Sequence, residues 1–179
     1  VNLAERRADY WNFGGIFRPV FLEVKPAINL RHIAIDAQMD GSFRANCYTN
    51  LSNDGMSIRA QILDNKGKKL TETTVPVKAG GDWTSLQLKV SDPALWTAET
   101  PNLYKAQFSL LDKDGKVLHN ETETFGFRTI EVRESDGLYV NGVRIMVRGV
   151  NRHSFHPESG RTLSKAKNIE DVLLMKDMN

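Results

Sequence analysis

The stretch YKAQFSLLDKDG, Tyr104 to Gly115, sets Tyr104, Ala106, Phe108 and Leu110 against Lys105, Gln107 and Ser109 in strict alternation. Successive side chains of a strand point to opposite faces, so this pattern predicts a strand with one buried and one wet face. It runs into Asp112-Lys113-Asp114-Gly115, which fits a type I turn closed by a glycine at positive φ. The same grammar recurs upstream. Ile33 and Ile35, then Phe43, Ala45 and Cys47, then Ile58, Ala60 and Ile62, then Leu86, Leu88 and Val90 form apolar rows alternating with other residues. Asp40-Gly41, Asp54-Gly55 and Asp64-Asn65-Lys66-Gly67 punctuate them. About seven short strands with turn signals every ~8–12 residues predict an all-β fold, an immunoglobulin-like β-sandwich, over residues 27–126.

The flanks read differently. RPVFLEVKP, Arg18 to Pro26, alternates Val20, Leu22 and Val24 against Phe21, Glu23 and Lys25, and predicts one further strand stopped by Pro26. On the other side, LYVNGVRIMV, Leu138 to Val147, predicts a hairpin with Asn141-Gly142 as its turn. Its second strand is expected to continue as RIMVRGV, Arg144 to Val150, into the polar stretch RGVNRHSFHP, Arg148 to Pro157. From Ser164 the spacing turns helical, with Ile169, Val172, Leu173 and Lys176 on one side. Ser164 suits the N-cap, and Glu170 and Asp171 suit an early turn. A strand, loop and helix without a second parallel strand make an incomplete βα unit. Residues past about Pro157 are therefore expected to be poorly ordered or held by a neighbouring molecule, and both ends read as cut from a longer chain.

Composition narrows the function classes. Lys and Arg number 24 against 22 Asp and Glu, a net charge of +2, and they are scattered, so no nucleic-acid partner is implied. No apolar run reaches the ~20 residues of a membrane span, and the N-terminus does not resemble a signal peptide. Cys47 is the single cysteine, which excludes an internal disulfide and a thiolate-rich zinc site and leaves it a buried, inert thiol.

Four blocks, in order, resemble glycoside hydrolase family 2, the β-galactosidase, β-glucuronidase and β-mannosidase group. GGIFRPVFLEVKP, Gly14 to Pro26, resembles the closing strand of that family's sugar-binding jelly-roll domain. LWTAETPNLYKAQFSL, Leu95 to Leu110, resembles its immunoglobulin-like domain. FGFRTIEV, Phe125 to Val132, with LYVNGVRIMVRGVNRH, Leu138 to His153, resembles the start of its (β/α)8 catalytic barrel, and DVLLMKDMN, Asp171 to Asn179, the first barrel helix. Ser154 departs from the glutamate that β-galactosidases of this group often carry there. The resemblance implies a jelly-roll end at residues 1–26, a sandwich at 27–126 and a truncated barrel start at 127–179.

It also implies the chemistry. The parent would be a retaining O-glycosyl hydrolase of β-glycosides, a β-galactosidase first of all, acting on carbohydrate without any cofactor in this chain, and soluble in periplasm or cytoplasm. Its two catalytic glutamates would lie beyond Asn179, so the chain alone is expected to be inactive, with no catalytic residue of its own. Glu158 and Asp136, in turn-like sequence, read as solvated acids. Substrate binding falls to His153, which would hydrogen-bond a hydroxyl of the sugar in the −1 subsite, with Arg148 and Asn151 touching the sugar or orienting neighbours. A metal site at His153 and His156 lacks further ligands and is not expected; His156 reads as a loop residue. Trp96 is expected to pack at a sandwich corner, and Trp83 to pack rather than stack on sugar. A homo-oligomeric parent fits the resemblance. The alternatives are a non-catalytic carbohydrate-binding or adhesive sandwich, and an interaction module using a sheet edge.

Overall fold

The computed structural model describes Leu3, Arg7 and residues 15–178, so the readings that touch the remaining N-terminal residues, Gly14 among them, and Asn179 lie outside the described residues. Two compact units are present, one spanning Val24–Val147 and the other including 15–23 and 148–178. The first holds β1 (Leu30–Ala37), β2 (Ser42–Thr49), β3 (Ser57–Leu63), β4 (Lys69–Pro76), β5 (Thr84–Lys89), β6 (Tyr104–Leu111) and β7 (Val117–Phe125). It also holds β8 (Ile130–Arg133), β9 (Gly137–Val140) and β10 (Val143–Ile145).

Seven strands make the β-sandwich: a sheet ordered β1-β2-β5 and a sheet ordered β4-β3-β6-β7, with all pairings antiparallel. The rows read from the sequence face inward. Phe43, Ala45 and Cys47 from one sheet and Ile58, Ala60, Ile62, Ala106, Phe108 and Leu110 from the other are buried in a shared core. Ala60 sits opposite Phe108 and Ile62 opposite Ala106, small against large across the ladder. Burying a side chain such as Phe108 contributes roughly 1.5–3 kcal/mol relative to leaving it exposed.

Polar groups tie the start of β1 both to the facing sheet and to the end of its neighbour β2. The buried Leu30 N–H of β1 donates to His119 Nδ1 of β7 at 3.2 Å. Before β1, Asn29 N–H donates to Asn50 Oδ1 at 2.8 Å while Asn50 Nδ2 donates to the Ala27 carbonyl at 2.7 Å. Buried backbone groups left unpaired would each cost about 1–3 kcal/mol, which is what these side chains prevent.

The anticipated turns hold. Gly67 N–H donates to Asp64 O at 3.0 Å and Gly115 N–H to Asp112 O at 3.1 Å. Gly41 is required at its turn: its φ is +83°, and a Cβ there would lie 1.9 Å from the Val90 carbonyl oxygen. β4 and β7 carry no apolar row in the sequence: both are rich in Thr and Glu, and little of either is buried.

Trp96 forms the corner. Its N–H donates to Phe127 O at 2.9 Å, the Arg128 guanidinium lies 4.3 Å from its ring centre, and Tyr104 Oη accepts from Ala94 N–H at 2.8 Å. Trp83 is a correction: it is half exposed, at the start of the edge strand β5, which has only β2 beside it.

β8, β9 and β10 form a separate antiparallel sheet. Asn141 and Gly142 take φ of +53° and +77°, as a type I′ turn demands. Asn141 then does more than turn the chain. Its Oδ1 accepts from Thr129 N–H at 2.9 Å and its Nδ2 donates to Trp96 O at 3.0 Å.

Three expectations change. RPVFLEVKP is not a strand: no strand among the described residues pairs with it, and Leu22 is 98% exposed. Alternation fixes faces but cannot supply a ladder partner. RIMVRGV stops pairing at Ile145, because Ile145 faces Leu138 and the partner strand begins one residue earlier, at Gly137. In the second unit the helix α1 (Lys165–Asp177) follows a Ser164 cap that accepts from Lys167 N–H, where the spacing placed it. Its first turn holds no acid; Glu170 and Asp171 lie one turn later, where Glu170 pairs with Lys167 at 2.8 Å. No helix among the described residues is long and apolar enough to cross a membrane.

Replacing Asn141 with Gly keeps a residue at ease at positive φ but removes both side-chain bonds. The expected loss is about 1–3 kcal/mol in denaturant unfolding of this chain; an unchanged midpoint would show that the turn alone matters.

Candidate functional site

The polar loop from Arg148 to Pro157 lies in the second unit and precedes α1. Arg148, Asn151 and His153 are all exposed. Phe155 N–H donates to His153 O at 3.0 Å, folding the chain tightly around His153. His156 exchanges two backbone bonds of 2.8 Å with Gly160, and its Nδ1 accepts from Glu158 N–H at 3.3 Å, so its ring closes a short turn. Further along, the Arg161 guanidinium lies 4.4 Å from the Phe17 ring centre. Among the described residues no group of three or more His, Cys, Asp or Glu could hold a metal ion.

Arg152 is the residue that sequence reasoning passed over. Its Nε donates to Asp171 Oδ2 at 2.7 Å and its Nη2 reaches the same oxygen. Nη2 also bonds Asn168 Oδ1 at 3.1 Å, and Nη1 bonds Ser154 Oγ at 3.3 Å. Asn168 and Asp171 are three apart on α1 and so share a face. Nineteen residues separate the arginine from its carboxylate, and no periodicity links them. Asp136, by contrast, accepts from Tyr139 Oη at 2.5 Å and pairs at 3.7 Å with Arg144 on an exposed edge of the β8–β10 sheet.

Comparison with known proteins decides the family. A model described as "Glycosyl hydrolases family 2" matches residues 28–128, and "Glycosyl hydrolases family 2, TIM barrel domain" matches 130–179. The chain belongs to glycosyl hydrolase family 2. It is 36% identical to a β-galactosidase of Pseudoalteromonas haloplanktis and 34% identical to one of Erwinia tasmaniensis, each alignment covering 96% of this chain. It spans 18% of the length of those relatives. The fold resembles solved structures of Bifidobacterium dentium β-glucuronidase, with a TM-score of 0.72 at 24% identity over 83% of this chain and 26% of that one. Parabacteroides merdae β-glucuronidase gives 0.70 at 19% identity over 84% and 20%. As a family 2 chain it places Arg148, Asn151 and His153 within the barrel match, and the joint between the two matches falls at Thr129.

Cys47 takes no part in such a site. It is fully buried in the sandwich, and burial pushes its thiol up to about 12. Iodoacetamide is expected to leave the native chain unlabelled at pH 8 and to label it fully in denaturant; rapid labelling of native protein would contradict the packing.

Proposed function

We propose that this chain is an internal segment of a retaining β-glycosidase, with β-galactoside as its preferred substrate. In this reading residues 1–26 end a jelly-roll domain, 27–126 form a spacer sandwich, and 127–179 open the (β/α)8 catalytic barrel. The observation that carries it is the 36% identity to a β-galactosidase across 96% of the chain, with the barrel match covering the whole His153 loop.

Retaining glycosidases set two carboxyl groups about 5–5.5 Å apart around the bond they cleave. Both would come from later barrel strands. What this segment would supply is substrate binding from the loop that leads into α1, the class of loop on which barrel enzymes build their sites. A neutral imidazole donates from one nitrogen, so His153 can hold a sugar hydroxyl whose bond tightens as charge develops on the ring. Arg148 and Asn151 lend exposed donors beside it.

A second reading, sugar binding by the sandwich itself, is favoured by half-exposed Trp83 next to a groove lined by Arg31, Tyr48, Asn50 and Asp82. Calorimetric titration of this chain with galactosides tests it, and absence of heat removes it.

The full-length protein is expected to hydrolyse aryl β-galactosides and this 179-residue chain to be inactive. His153→Ala in the full-length protein should lower kcat/KM by about 100-fold, the scale of losing one transition-state donor. Failure of the full-length protein on aryl galactosides, glucuronides and mannosides alike would overturn the assignment.

A further inference from the structure

We propose that Arg152 is a positioning residue that aims His153 by tying the loop to α1 through Asp171 and Asn168; this rests on the reading of His153 as a substrate-binding residue. Arg152 stands between Asn151 and His153, yet its own side chain is committed elsewhere. Nε and Nη2 grip one Asp171 oxygen, Nη2 adds Asn168, and Nη1 takes Ser154. A guanidinium offers five donors in a rigid fork and no acceptor. With all three nitrogens engaged, Arg152 has little left for a sugar, and its planar fork is held in one orientation.

The anchor is one face of a helix. Asn168 and Asp171 sit on one face of a capped helix, within its second turn. The pair is also partly withdrawn from water, the side chains being 25% and 38% exposed, so solvent competes for it less than for a surface ion pair. Fixing the side chain of residue 152 restrains the backbone on both sides of it, and the 3.0 Å bond from Phe155 N–H to His153 O closes the other side. His153, itself exposed, is thus bracketed by two restraints. Ser154 contributes a hydroxyl, so the carboxylate that holds Arg152 here is that of Asp171.

The test uses the full-length protein, an aryl β-galactoside, and separate values of kcat, KM and thermal midpoint. Arg152→Gln and Asp171→Asn are each expected to lower kcat/KM by roughly 10- to 100-fold, mainly in kcat, as misplacement of a working group does. Arg152→Lys should recover part of the loss. The double variant Arg152→Gln/His153→Ala should be no worse than His153→Ala alone, since Arg152 acts through that residue. If the two losses multiply, or if Arg152→Gln stays within about twofold of the parent, the proposal is wrong while His153 keeps its role. If His153→Ala is silent, the substrate-binding reading fails first and this one with it. Should Arg152→Gln not fold, Asp171→Asn and its double with His153→Ala carry the same readouts, because the asparagine keeps shape and an acceptor.

Discussion

The side-chain amide of Asn141 pairs with backbone groups of two other segments, and the join between the sandwich and the β8–β10 sheet depends on it. A type I′ turn needs positive φ at both central residues, which asparagine and glycine tolerate. Held in that conformation, Asn141 meets Thr129 N–H and Trp96 O, while its own N–H reaches Thr129 O at 2.9 Å. Thr129 passes the connection on: its hydroxyl donates to Gln38 Oε1 at 2.9 Å and accepts from Met39 N–H at 3.0 Å. Four segments distant in sequence are thereby fixed together. The two family matches meet at Thr129, yet the compact unit continues to Val147, so the boundary between them is a hydrogen-bonded joint. Gly126 completes it from the packing side, because a Cβ there would lie 2.6 Å from Trp96 Cβ.

Most of the sandwich was legible because its central strands obey one rule. Phe43, Ala45 and Cys47, or Ile58, Ala60 and Ile62, recur with period two, and each row turned out buried. The rule loses force wherever burial does. Little of β4 and β7 is buried, and their sequences keep β-prone threonines without a row of large apolar residues. It also overreaches: RPVFLEVKP has the alternation and no partner strand. Period two reports which side chains would share a face and is silent on whether another strand lies alongside.

The candidate site was legible only in part, for a related reason. His153, Asn151 and Arg148 were reached through the family resemblance, and the structure shows them exposed on one loop. The ties that shape that loop are contacts between residues far apart in the chain. Arg152 with Asp171, and Asn141 with Trp96, leave no local pattern. Asn141 was read as a turn residue because the turn is the local half of its role.

These two polar clusters solve the same problem at different places. Strand pairing ends at Ile145, so from Met146 onward the backbone has no ladder to set its direction. An imidazole can favour a transition state over a ground state only if its donor is already aimed, since aiming it during reaction would consume the interaction it provides. Direction must then come from side chains and short turns. The Arg152 grip on α1, the His153–Phe155 bond and the His156–Gly160 pair supply it in sequence, on either side of His153.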